Sequence, residues 1–259
     1  MDSKPLFGPA FGPGVDLPLP FPGASGRGVR VAVIDSGVNP RHPHISGVAG
    51  GASVVGPEEI EEGCFLDTLG HGTAVMAAIQ EKAPEAEYLA VKLFQHSLRC
   101  SSTALMAAIE WALAQSVNVI NLSLGTVNFE FQSRLQALVE SAASRGIIFV
   151  NAREADGRAC LPGSLAGVIG VRVDWDCPRA RYRVADEDGG PVYYASGYPR
   201  PIPGLPRERN LNGISFAVAN MTGFVVRARQ SVPANTLAAA LASEARSSAK
   251  RPARDVERP

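Results

Sequence analysis

Short apolar runs alternate with stretches of helical spacing, and this alternation limits the fold more than any other feature of the chain. Residues 29–34, 87–94, 117–122, 147–150 and 167–173 read as strands, with a further short strand at 53–56. Between them, 73–81, 103–115 and 132–144 read as helices. The first stops at Ala83-Pro84, and the second repeats Leu105, Ala108, Ile109, Ala112 and Leu113 on one face. Largely apolar strands interleaved with helices predict a mostly parallel central sheet with helices on both faces, an α/β three-layer sandwich. Ligands of such sheets bind beyond the carboxyl ends of the strands. Asp35 and the segment 121–125 fall there.

The 259 residues, 46% of them hydrophobic, are enough for one such domain. Residues 1–28 read as an irregular Pro/Gly-rich arm, 29–247 as the folded domain and 248–259 as a basic disordered tail. The carboxyl-terminal third reads as a charged exposed stretch (179–188), an outer strand (192–195), a Pro-rich loop (198–212), a core helix (217–229) and an amphipathic helix (233–247). Formal net charge is zero, which gives no electrostatic reason for nucleic acid or an anionic membrane as partner. No apolar run approaches the roughly 20 residues of a membrane span. The amino terminus lacks the cationic start and apolar core of a signal peptide. Cys64, Cys100, Cys160 and Cys177 form no CxxC pair, so they read as reduced and the protein as cytoplasmic.

Three distant segments carry chemistry. Val31-Ala32-Val33-Ile34-Asp35-Ser36-Gly37 is an apolar strand ending in a carboxylate, and Gly70-His71-Gly72-Thr73 is a Gly-flanked His opening a helix. Gly213-Ile214-Ser215-Phe216-Ala217 sets a Ser beside a buried helix start. There the unpaired N–H groups and the helix dipole favour an oxygen that becomes negative. The plainer reading of Ser215 is an ordinary helix N-cap. Asp, His and Ser in that chain order match one of the known triad orders.

On these segments the chain resembles the subtilisin-like serine proteases, the subtilase family, over roughly residues 29–229. The resemblance implies a catalytic Asp35, His71 and Ser215. Asn121-Leu122-Ser123-Leu124-Gly125 is similar to the family's SLG segment, which implies that Ser123, Leu124 and Gly125 pair with an extended substrate and wall the pocket for the residue before the cleaved bond. Ala152, Arg153 and Glu154 are further candidate substrate-binding residues, and Glu154, Asp156 and Cys160 are pocket residues that suit a basic or a small substrate residue. Leu161-Pro162-Gly163 followed by Val168-Ile169-Gly170-Val171 resembles a further family segment. The implied partner is an extended peptide or protein substrate.

The sequence departs from the family pattern at the oxyanion. Aligned without a gap from Gly146 to Gly157, the family's Asn donor is replaced by Ala155, which cannot donate. Asn151, Arg153, Asn212 and Asn220 are the candidate substitutes. Two readings stay open: a serine endopeptidase, slow and dedicated to a precursor peptide as in natural-product maturation, or a subtilase-fold protein that binds an extended peptide without cleaving it. No cofactor is called for. Many subtilases bind calcium, but the acidic residues Glu58, Glu59, Glu61, Glu62 and Asp67 lack an EF-hand spacing and read as a solvated loop.

Overall fold

A computed structural model describes residues 18–155, 157–187 and 190–250. Along the chain come β1 (Arg30–Asp35), β2 (Gly50–Gly56), β3 (Glu59–Glu62), α1 (His71–Gln80), β4 (Glu87–Lys92), α2 (Ser102–Ala114) and β5 (Val119–Leu122). Then follow α3 (Gln132–Ser144), β6 (Ile148–Ala152), the short hairpin β7 (Glu154–Ala155) and β8 (Arg158–Ala159), and β9 (Val168–Val173). The chain closes with β10 (Tyr182–Glu187), β11 (Gly190–Ala195), α4 (Ile214–Arg229) and α5 (Leu237–Lys250).

Among the described residues the main sheet has nine strands in the order β10-β11-β9-β6-β5-β1-β4-β2-β3. Only the edge pairings β10/β11 and β2/β3 are antiparallel. The chain runs from β1 out to β2 and β3, comes back to β4 beside β1, then crosses to β5 on the other side of β1. Strand order therefore reverses at β1/β5, which opens a crevice at their carboxyl ends.

Strand periodicity divides the core in two. Val31 and Val33 point to the face covered by α1, α4 and α5, with Met76, Ile79, Phe216 and Phe224. Ala32 and Ile34 point to the face covered by α2 and α3, with Leu105, Ile109, Leu135 and Phe149. The observed architecture is the expected sandwich. Helix α4 is buried from Phe216 to Ala228, so it forms the centre of its layer. Each of its fully buried large apolar side chains contributes about 1.5–3 kcal/mol.

Several sequence-based expectations change. The stretch 179–188, read as exposed, contains edge strand β10. Its Tyr182 is buried, while Arg183 pairs with Asp174 and Glu187 with Arg172. The acidic loop contains β3, a solvent-facing edge strand whose Glu62 accepts from Trp111 Nε1 at 2.6 Å. Residues 18–28, read as part of an arm, are tied to the domain: Arg227 donates to the carbonyls of Pro20 and Phe21, and Gln230 Oε1 accepts from the N–H groups of Ser25 and Gly26. The remainder of the arm, 1–17, and of the tail, 251–259, lie outside the described residues. All four cysteines are free. No helix among the described residues is long and apolar enough to cross a membrane.

Candidate active site

The site is built at the carboxyl end of β1. Asp35 is its last residue and fully buried. A buried carboxylate needs partners. Asp35 Oδ1 accepts from the Ser36 N–H at 2.7 Å and from His71 Nδ1 at 2.7 Å. The other oxygen, Oδ2, is buried and accepts no hydrogen bond among the described residues. Oδ1 thus takes both the backbone donor and the imidazole.

His71 is the first residue of α1, and a second carboxylate holds that helix start in place. Asp67 Oδ1 accepts from Ser36 Oγ and from the N–H groups of Leu69 and Gly70, each at 2.9 Å. Its Oδ2 accepts from Thr73 N–H at 2.9 Å and Thr73 Oγ1 at 2.6 Å. Ser36 Oγ in turn accepts from the Gly72 N–H at 2.8 Å. Asp67 thus satisfies first-turn donors of α1 that have no helical partner and locks the helix to the turn after β1. Sequence reading placed Asp67 in an acidic cluster; the usable signal was an acidic residue just before a helix start. Burial alone would lower the His71 pKa. The hydrogen bond and charge of Asp35, then the charge of Asp67, outweigh it and raise the imidazole above its ordinary value.

Ser215 lies in the first turn of α4, whose N-cap is Gly213. It is therefore not the N-cap that the plainer reading made it. Its Oγ donates to the Ser123 carbonyl at 3.1 Å. The ring of Phe216, the next residue, lies 5.6 Å from the His71 ring, centroid to centroid. Among the described residues no hydrogen bond joins His71 Nε2 to Ser215 Oγ. The structure brings Asp35, His71, Ser215 and Ser123 to one rim, with Asp35 and His71 bonded and Ser215 turned toward β5.

Ser123 is buried, Leu124 half-buried and Gly125 exposed, and Thr222 Oγ1 and Asn121 fasten α4 to the end of β5. Of the facing residues, Ala152 is buried and its carbonyl accepts from Cys160 Sγ at 3.0 Å. Glu154 pairs with Arg172 at 3.0 Å, a guanidinium that it shares with Glu187. Ala155 lies in the β7/β8 hairpin opposite Arg158 and offers only a methyl group.

Two of the four substitute oxyanion donors, Asn220 and Asn151, are committed elsewhere. Asn220 is buried inside the helix layer and donates both amide hydrogens, to the carbonyls of Ser196 at 2.8 Å and Tyr198 at 2.9 Å. Asn151 donates to the carbonyls of Leu122 and Leu124, both at 2.5 Å. Arg153 runs along β9: a Cβ on Gly170 would sit 3.3 Å from Arg153 Cβ and 3.5 Å from its Cδ. Asn212 is exposed just before Gly213 and gives one bond, to the Asn210 carbonyl at 3.2 Å. For calcium, no group of three or more His, Cys, Asp or Glu side chains that could hold a metal occurs among the described residues.

A parallel sheet with a carboxylate, an imidazole and a hydroxyl at its switch point defines a hydrolase-like α/β protein. The subtilase family model matches residues 26–157. The chain is 31% identical over 231 residues to subtilisin Savinase of Lederbergia lenta, covering 82% of this chain and 80% of that protein. It is 31% identical over 234 residues to a thermostable alkaline protease of Halalkalibacterium halodurans, covering 83% of this chain but 60% of that protein. Against the M-protease of Shouchella clausii it spans 56% of the relative's length. Two solved structures share the fold. The S41 psychrophilic protease has a TM-score of 0.68 at 22% identity, and sphericase 0.66 at 23%, each alignment covering 85% of this chain and 83% of the other. The chain belongs to the subtilase family.

Proposed function

We propose that this protein is a serine endopeptidase of the subtilisin type, with Asp35, His71 and Ser215 as its reacting groups. The observation that carries the reading is the 2.7 Å bond from His71 Nδ1 to the buried Asp35, with Ser215 in the adjoining helix start. Attack requires Ser215 Oγ to leave the Ser123 carbonyl and turn to His71. His71 Nε2 removes the hydroxyl proton as Oγ attacks a peptide carbonyl, and Asp35 stabilises the imidazolium. His71 then protonates the leaving amine, and water repeats the sequence on the acyl-enzyme. Developing negative charge on the carbonyl oxygen meets the free first-turn N–H groups of α4.

The side-chain donor missing at Ala155 makes turnover slow, by about 10²–10³. That rate suits a dedicated precursor peptide in the cytoplasm better than bulk degradation. The resting direction of Ser215 Oγ favours the second reading, a protein that holds a peptide without cutting it. A fluorophosphonate probe separates the two. Adduct formation by the wild type and none by Ser215→Ala is the expected result; a folded wild type that stays unlabelled supports the binding role.

A further inference from the structure

The two strand ends beside Ser215 are laced together by the protein's own side chains. If His71 protonates the leaving nitrogen, the leaving part of a substrate lies on the β1 side of β5. The acyl part then lies on the opposite side, toward β6. The side chain of the residue just before the cleaved bond hangs two bonds from the attacked carbon. It therefore falls between residues 123–125 and 152–154.

That gap is closed at three levels. Asn151 bridges to the Leu122 and Leu124 carbonyls at 2.5 Å. Above it, Cys160 Sγ donates to the Ala152 carbonyl at 3.0 Å while lying against Gly125, where an added Cβ would sit 2.6 Å from the sulfur. Beyond that, Thr126 and Leu161 exchange backbone hydrogen bonds of 3.0 and 2.9 Å. Asn151, Cys160 and Leu161 are each 0% exposed, so the sulfur occupies the floor between the two strand ends, against Gly125.

We propose that Cys160 restricts the residue before the cleaved bond to glycine or alanine, the gap being closed to anything larger. The inference rests on the peptidase reading and selects its substrate class. The thiol stays protonated, since burial, then the Glu154 charge, push its pKa up to about 11. It therefore acts as a neutral plug.

The test is a series of tetrapeptide anilides identical except for a last residue of Gly, Ala, Leu or Phe. Wild type is expected to favour Ala over Phe on the order of 100-fold in kcat/KM. Cys160→Gly is expected to move that ratio toward Phe about tenfold or more, Cys160→Ser to keep it. Cys160→Ala, a smaller perturbation of the fold, is expected to move it in the same direction by less. Comparable wild-type turnover of the Phe and Ala peptides overturns this inference alone, as does an unchanged ratio in a folded Cys160→Gly or Cys160→Ala. A folded wild type that neither turns over any peptide nor reacts with a fluorophosphonate overturns the peptidase reading and this inference with it.

Discussion

Gly72→Ala tests whether the start of α1 must lie hard against the turn after β1. Intrinsic propensity works in favour of the variant, because alanine is about 1 kcal/mol better than glycine inside a helix. Contact geometry works against it. The added methyl would sit 2.2 Å from the Gly37 carbonyl oxygen, 3.1 Å from the Ser36 nitrogen and 3.2 Å from Asp35 Cβ. Carbon–oxygen contacts settle at about 3.3 Å or more, so the helix start must retreat by about 1 Å. All three obstacles belong to the segment that carries Asp35, so retreat pulls His71 from its partner and stretches the 2.7 Å bond. A displacement of that size costs about 100-fold in rate. Overpacking costs about 1–3 kcal/mol, which exceeds or cancels the propensity gain.

The assay pairs kcat/KM on a peptide anilide with thermal unfolding, and Gly47→Ala serves as control because nothing lies within 4 Å of an added Cβ there. Gly72→Ala is expected to be about 100-fold slower and no more stable than wild type. The control is expected to change neither quantity. A Gly72→Ala protein with wild-type rate and a raised Tm would refute the packing argument.

Two pH dependences follow from the same structure. His71 must be neutral to take a proton, and its pKa is raised, so the acid limb of kcat/KM should have its midpoint above the ordinary value of about 6.5. Asp67→Asn, which removes one of the charges responsible, should lower that midpoint; a midpoint at or below the ordinary value in wild type contradicts the assignment. Lys82 is fully buried against Gly223 and Phe224 and donates to Asn220 Oδ1 at 2.6 Å. Burial, then Arg179, lower its pKa to about 7 against partial compensation by Glu81, and Arg227 lowers it further. An unfolded chain therefore binds this proton between about pH 7 and 10 while the folded one does not, and the lysine's contribution to stability rises with pH across that window. Cys160 and Cys177, raised to about 11 and about 12, work in the opposite direction above about pH 8.5. The measurement is thus the difference between wild type and Lys82→Met in denaturant titrations, which should change by several kcal/mol between pH 7 and 10; a constant difference contradicts the assignment.

Much of the sheet was legible, and the three residues proposed as reacting groups were noticed, because each leaves a local mark. Buried parallel strands are apolar throughout, and α3 has the bounds that its spacing predicts. Strand β10 left no such mark. Its outward side chains are charged, and they are neutralised by Arg172 and Asp174 from elsewhere in the chain, a compensation no local window contains. The surroundings of the oxyanion candidates were hidden for a related reason. An asparagine reads the same whether its amide is free or spent, and only the fold shows that Asn220 is spent on the carbonyls of Ser196 and Tyr198. Cys160 lies far in sequence from Gly125, so its role as a plug emerges only when β5 and β6 are set side by side.

The damage at Ala155 is bounded by comparison with what remains. One lost donor costs about 2.7–4 kcal/mol, whereas enzymes typically remove about 8–23 kcal/mol from a barrier. The buried Asp35, the imidazole it charges and the helix start under Ser215 do not depend on residue 155. Each is instead fixed by contacts also needed for folding: Asp67 caps α1, and Asn121 and Thr222 pin α4 to β5. The His71 bond also satisfies the buried Asp35 carboxylate, but a backbone or hydroxyl donor would do that equally well, whereas only an imidazole can also relay a proton. The retained bond therefore weighs toward a slow peptidase, and the sulfur of Cys160 toward one that cuts after the smallest residues.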